Sequence, residues 1–269
     1  MPARIDPERV SRLTMQMEDA LKAKTARSGR FVEEAKQVLP HGAASSFQAN
    51  RPHPIFITGG RGSRIWDLDG NEYSDYHNGF GVMVMGHAHP VIAAAIAEVA
   101  GRGTHFAAPN ESTVRVAREL VRRFRLPKVR FSNSGTEATL DTVRLGRAFT
   151  GKDGLVKIEG TYHGHHDSVM VSVRPSPDKM GPRSRPASVP QSAGIPQAVL
   201  DMVVVVPFND SDALDRALTE HDDVGTMIIE PIMLNCGVIP PSPATWRPSG
   251  RSPASMGWCS SSMRSRRAM

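Results

Sequence analysis

Apolar residues recur at helical spacing over 7–39, 90–101, 111–124, 137–147 and 211–220, and in short alternating or continuous runs over 55–75, 127–131, 156–159, 203–206 and 226–229. The two periods predict helices and strands respectively. The first segment is predicted to be mainly helical, with a break near Ser28-Gly29, and 55–75 a hairpin turning at Asp69-Gly70. An Ala-rich helix follows over 90–101 with Pro90 in its first turn, then an amphipathic helix over 111–124. From residue 127 onward strands alternate with helices, which argues an α/β fold with a mainly parallel sheet. The run Val203-Val204-Val205-Val206 is apolar throughout, as in a strand covered on both faces. The Pro-, Ser- and Arg-rich stretch 173–196 predicts a loop, and no internal repeat is evident.

Candidate chemistry gathers where these strands end. Phe131-Ser132-Asn133-Ser134-Gly135-Thr136-Glu137-Ala138 reads as a strand that breaks on small residues into a helix. Gly135 allows close approach of a ligand, Ser134 and Thr136 supply hydroxyls, and the first N–H groups of a helix lack internal partners and favour an anion. The same residues also suit a plain N-cap with Glu137 in the first turn, and on this stretch alone the two readings are equally good. A second strand runs into Gly160-Thr161-Tyr162-His163-Gly164-His165-His166-Asp167, and a third ends at Glu230-Pro231, ahead of Asn235-Cys236-Gly237. Strand ends of α/β sheets are where ligands bind. The imidazoles and carboxylate of 163–167 invite a metal reading, but alternate residues of an extended segment face opposite ways and no second ligand cluster accompanies them. His87 and His89 are read likewise, as loop-bracing histidines.

The wording and order of these motifs resemble the class III, fold-type I aminotransferases, which depend on pyridoxal 5'-phosphate (PLP), and within them the glutamate-1-semialdehyde 2,1-aminomutase branch. The resemblance runs over about 35–243 and rests on Trp66-Asp67-Leu68-Asp69-Gly70-Asn71-Glu72-Tyr73-Ser74-Asp75-Tyr76, Met85-Gly86-His87-Ala88-His89-Pro90, Ser134-Gly135-Thr136-Glu137-Ala138, Tyr162-His163-Gly164-His165 and Ile229-Glu230-Pro231. It implies PLP as cofactor, with Ser134, Gly135 and Thr136 as its phosphate cradle, Tyr162 stacked on its ring, His163 beside it, and Glu230 and Asn235 as polar contacts at the third strand end. It implies transfer or shift of an amino group on an amino acid or amine, and a homodimer to which the N-terminal helix and 81–109 contribute. On the substrate side, Gln48 stands where the aminomutase has a carboxylate-binding arginine, and Phe80 where it has a tryptophan. A neutral amide lacks the guanidinium's bidentate charged grip, so an amino acid or amine handled by a related transaminase is at least as good a substrate as the aminomutase's own.

The family pattern stops after Pro243. The tail 244–269 carries five arginines, no acid and no sustained apolar period, and reads as disordered. The lysine that holds the cofactor covalently and the acid at its ring nitrogen lie beyond this point in the family, and Lys157, with no motif match, reads as a structural or surface lysine. Translated in the frame that joins each codon's third base to the next two, 258–268 permits Val-Leu-Ile-Phe-Asp-Glu-Val-Lys-Thr-Gly, and 243–251 permits Gly-Tyr-Leu-Glu-Ala-Val-Arg-Glu, a strand and helix of the expected kind. A frameshift near Pro243, in the gene or its sequencing, is the reading. The chain is then expected to comprise an N-terminal segment 1–60, a partial PLP-binding domain 61–243 and an aberrant tail 244–269, with a later small domain absent. It is expected to keep half a cofactor site and to be inactive; the alternative is a non-catalytic remnant, unstable or associated with an intact homologue.

The resemblance implies a small-molecule amino donor or acceptor, and the cysteine usage suits a cytoplasmic protein. The net charge of +6 belongs to the tail, whose five arginines account for all but +1, so no nucleic-acid partner is implied. Cys236 and Cys259 make no disulfide framework. The first thirty residues have neither a signal peptide's apolar run nor a membrane span.

Overall fold

A computed structural model describes residues 5–242 and the backbone of 259–261, in two compact units, Met1–Pro109 and Asn110–Met269.

In the first unit, α1 (Pro7–Lys24) starts on Asp6, whose carboxylate accepts from the N–H groups of Glu8 and Arg9, with Pro7 in the first turn. The helix ends at Thr25, not near Ser28-Gly29 as the sequence suggests. The buried Thr25 hydroxyl turns back onto Leu21 O at 2.6 Å and bonds His53 Nε2 at 2.9 Å. The next helix, α2 (Ala26–Ala35), runs through Gly29, where a Cβ would lie 3.0 Å from the His53 ring. Its start is capped from far along the chain, because Asp69 accepts from Arg27 N at 2.8 Å and from Ser28 N at 3.2 Å. The expected hairpin is a three-stranded antiparallel meander, β1 (Ile57–Arg61), β2 (Arg64–Asp67) and β3 (Glu72–Ser74). Asp69-Gly70 makes its second turn. Asp67 organises that turn, accepting from Asp69 N, Asn71 N, Asn71 Nδ2 and Tyr73 OH. A short turn α3 (Asn78–Gly81) and the Ala-rich α4 (Pro90–Ala100) complete the unit.

The second unit opens with α5 (Glu111–Phe124), capped by Asn110, and α6 (Gly135–Thr150), capped by Ser134 and closed by the left-handed Gly151. The expected strand over 127–131 does not form. A strand needs a neighbour, and no described strand lies alongside to pair with it. The sheet consists of β4 (Gly154–Ile158), β5 (Val203–Val206), β6 (Val224–Ile228) and β7 (Cys259–Ser261), all parallel, in the order β5-β4-β6-β7. Helix α7 (Gln197–Asp201) leads into β5, and α8 (Ser211–Glu220) links β5 to β6. The strand β7 was not expected from the tail's pattern; the remaining residues of 244–269 lie outside the described ones.

Every residue of β4 and β6 is buried, as both faces are covered. Val156 and Ile158 pack with Leu214, Ala217 and Met227 on the side of α8, while Leu155 packs with Val143 of α6 on the other. Gly146 lets α6 sit close on β6, since a Cβ there would lie 2.6 Å from Thr226 Oγ1.

Candidate cofactor site

The start of α6 carries both chemistries that its sequence allows. Ser134 Oγ accepts from Glu137 N at 3.2 Å, and Glu137 Oε2 accepts from Asn133 N at 2.6 Å, a relative of the capping box in which the acid reaches the residue before the cap. These two bonds leave the N–H groups of Gly135 and Thr136 without a partner inside the helix, at its positive end. Around Gly135 a Cβ would meet nothing within 4 Å, so a ligand has room to approach the backbone.

The loop after β4 is fastened to that helix start. His165 N donates to Thr136 Oγ1 at 3.0 Å, and the Thr139 hydroxyl lies 2.6 Å from His163 O. Gly164, at φ +112, packs so close that a Cβ would stand 2.8 Å from Thr136 Cα. Two of the three expected strand ends, 134–136 and 162–165, are thereby brought to one place. Tyr162 is 45% exposed.

The third end comes close through different atoms from those expected. Glu230 Oε2 accepts from Leu234 N at 3.0 Å and so caps its own turn, and the exposed Asn235 makes no side-chain hydrogen bond among the described residues. It is Cys236 that bridges, its Sγ donating to Gly160 O at 3.2 Å. Gln48 and Phe80 belong to the first unit, where Gln48 closes a short 3-10 turn and the Phe80 ring lies 4.4 Å from that of His77 and 5.1 Å from that of Phe47. Thr139, Gly164 and Cys236 were not singled out from the sequence. Thr139 was discoverable, lying one turn beyond Thr136 on the same helix face.

Burial sets the electrostatics. It drives the His163 imidazole down to about 3, helped by Lys157 and His166, so the ring is neutral at any ordinary pH. Burial also lowers His166, against Asp167, and raises the Glu159 carboxyl, against Lys157. His163 Nε2, His166 Nδ1 and Glu159 Oε1 are buried with no hydrogen-bond partner. Unpaired buried polar atoms are uncommon in a native fold and mark a place where a further group completes the bonding. Among the described residues, no three His, Cys, Asp or Glu side chains gather for a metal ion. The exposed helix start, an aromatic face and unpaired polar atoms together fit a flat, phosphorylated cofactor.

Comparison with known proteins agrees. The sequence profile of the class-III aminotransferases matches residues 46–248, and the chain belongs to that family. Glutamate-1-semialdehyde 2,1-aminomutase of Persephonella marina is 42% identical over 224 residues, covering 81% of this chain and 51% of the relative. An omega-transaminase from Sphaerobacter thermophilus superposes with a TM-score of 0.82 at 36% identity, over 87% of this chain and 53% of that one. A transaminase with PLP bound gives 0.80 at 32% identity, over 88% and 55%. The fold is that of the PLP transferases, and these findings indicate PLP as the cofactor. The chain spans about half the length of the relatives it matches.

Proposed function

We propose that this chain forms the phosphate-side and ring-side half of a class-III PLP site, of an enzyme that moves an amino group on an amino acid or amine. The observation that best supports the reading is the fastening of 163–165, the residues next after Tyr162, onto the start of α6. In this reading Ser134, Gly135 and Thr136 hold the phosphate, Tyr162 lies on the ring, and Glu230 and Asn235 serve its polar edge. Bound PLP supplies an electron-withdrawing ring that stabilises negative charge on a substrate carbon. Neutral His163 gives an uncharged hydrogen-bonding wall, and the fixed turn keeps Tyr162 in place. Gln48 and Phe80 are assigned to substrate selection, and the neutral Gln48 favours an amino acid or amine other than the aminomutase's own. A homodimer and a cytoplasmic setting go with this reading.

We further propose that the 269-residue chain does not turn over by itself. Of its seven lysines, six are exposed and the seventh, Lys157, is wholly buried with its amine bonded to backbone carbonyls. The test is an absorption spectrum of the chain with PLP, followed by borohydride reduction and mass mapping, beside an amino-transfer assay with several amine donors. PLP bound without a lysine adduct and without product is the expected result; a single modified lysine with turnover would overturn the inactivity. The frameshift near Pro243 is tested by reading the DNA across 242–258, where an uninterrupted native frame would end it.

A further inference from the structure

Lys157 is 0% exposed on the α6 side of β4, in a position where methionine or leucine would fill the same space without the cost of burying an amine. Burial pulls its amine down to about 8, against Cys236, Glu159 and Glu230, which raise it. What lysine adds over an apolar side chain is N–H donors, and all of them serve one turn. The amine donates to Thr161 O at 2.8 Å and Ile158 O at 3.1 Å, and lies 3.3 Å from Thr161 Oγ1. The wholly buried Thr161 hydroxyl donates to Ile158 O at 2.6 Å, Cys236 Sγ to Gly160 O, and Gly160 N to Ser172 O at 2.8 Å. The carbonyls of residues 158, 160 and 161 are therefore all engaged by side chains, and the turn cannot shift without leaving a buried carbonyl unpaired. The next residue is Tyr162, followed at once by the segment fastened to Thr136 and Thr139.

We propose that Lys157 is a positioning residue for the cofactor ring: by holding the 158–161 turn from inside the sheet, it sets where Tyr162 stands. The inference rests on the reading of Tyr162 as the ring-stacking residue. Lys157 touches neither cofactor nor substrate. Its effect passes through the backbone of Thr161, so it acts on the ring side of the site and leaves the phosphate side at α6 alone.

The test compares the chain with Lys157→Met, which keeps the volume and loses the donors, and with Lys157→Gln, which keeps two donors on a shorter stem and serves if the Met form does not fold. PLP and inorganic phosphate are titrated against each, and amide exchange is followed over 159–166. The expected result is PLP binding weakened about tenfold with phosphate binding within about twofold of the parent, and faster exchange at 160–163 while β5 and β6 keep their protection. Combined with Tyr162→Ala, either substitution should add less than about twofold, since both act through one ring. Equal loss of PLP and phosphate, full additivity with Tyr162→Ala, unchanged exchange at 160–163, or a borohydride-fixed phosphopyridoxyl group on Lys157 would each overturn it. Should the parent chain bind no PLP, the reading of the cofactor site fails, and the exchange comparison still decides whether Lys157 holds the turn.

Discussion

The buried side chain of His163 makes the stability of its own unit depend on pH. Its imidazole takes a proton near pH 3 in the folded chain and near 6.5 when unfolded. Between those values only the unfolded chain gains the proton, so the stability His163 provides is present above 6.5 and lost as pH falls toward 3. One such group gives a slope of at most about 1.4 kcal/mol per pH unit. Urea unfolding at pH 7.5, 6 and 5 should show a falling midpoint, with the fall reduced in His163→Gln; an identical fall in the variant would refute the assignment. His166, lowered in the same direction by burial, accounts for part of the remaining slope. At this scale the cap at Ser134 was legible in the sequence, because capping depends on near neighbours. Lys157 reads from sequence as structural or surface, and its complete burial removes the surface reading; the sequence places it between Val156 and Ile158 but does not show that Thr161 folds back over its amine.

Elements depend on contacts from far along the chain, and here the sequence was least informative. Helix α2 takes its cap from Asp69, about forty residues away, so its start could not be read from local pattern. Asp69→Ala should lower the stability of the first unit by about 1 kcal/mol, the usual worth of a lost cap. Asp69→Asn, which keeps an acceptor, should retain most of it; equal losses in the two variants would count against capping as the cause. The run 127–131 alternates as a strand does, yet strand formation requires a pairing neighbour, which no local pattern supplies. The docking of 163–165 on α6 is the other non-local feature. Gly164→Ala would place a methyl against Thr136 Cα at a strained φ, with an expected cost of roughly 2 kcal/mol. PLP and phosphate binding should both weaken with it, in contrast to substitutions at Lys157. A Gly164→Ala chain with parental stability and parental PLP affinity would mean that the close approach is not what assembles the site.

At the scale of the whole molecule, the α/β class and the parallel sheet were legible because strands alternate with helices along the second half of the chain and β5 is an apolar run. The boundary of the two units at 109/110 and the pairing of Cys259–Ser261 with β6 were not, as both depend on contacts between distant segments. The central claim is that the start of α6 and the loop after β4 make one phosphate-and-ring site. Its most direct measurement is the affinity of the chain for PLP set against that for pyridoxal, which has the same ring and no phosphate. A phosphate held by free helix N–H groups and the hydroxyls of Ser134 and Thr136 predicts that PLP binds at least about a hundredfold more tightly, as charge-assisted hydrogen bonds contribute about 1.5–3 kcal/mol each. Ser134→Ala with Thr136→Val should remove most of that margin. Equal affinity for the two ligands, or a margin untouched by the double substitution, would contradict the account.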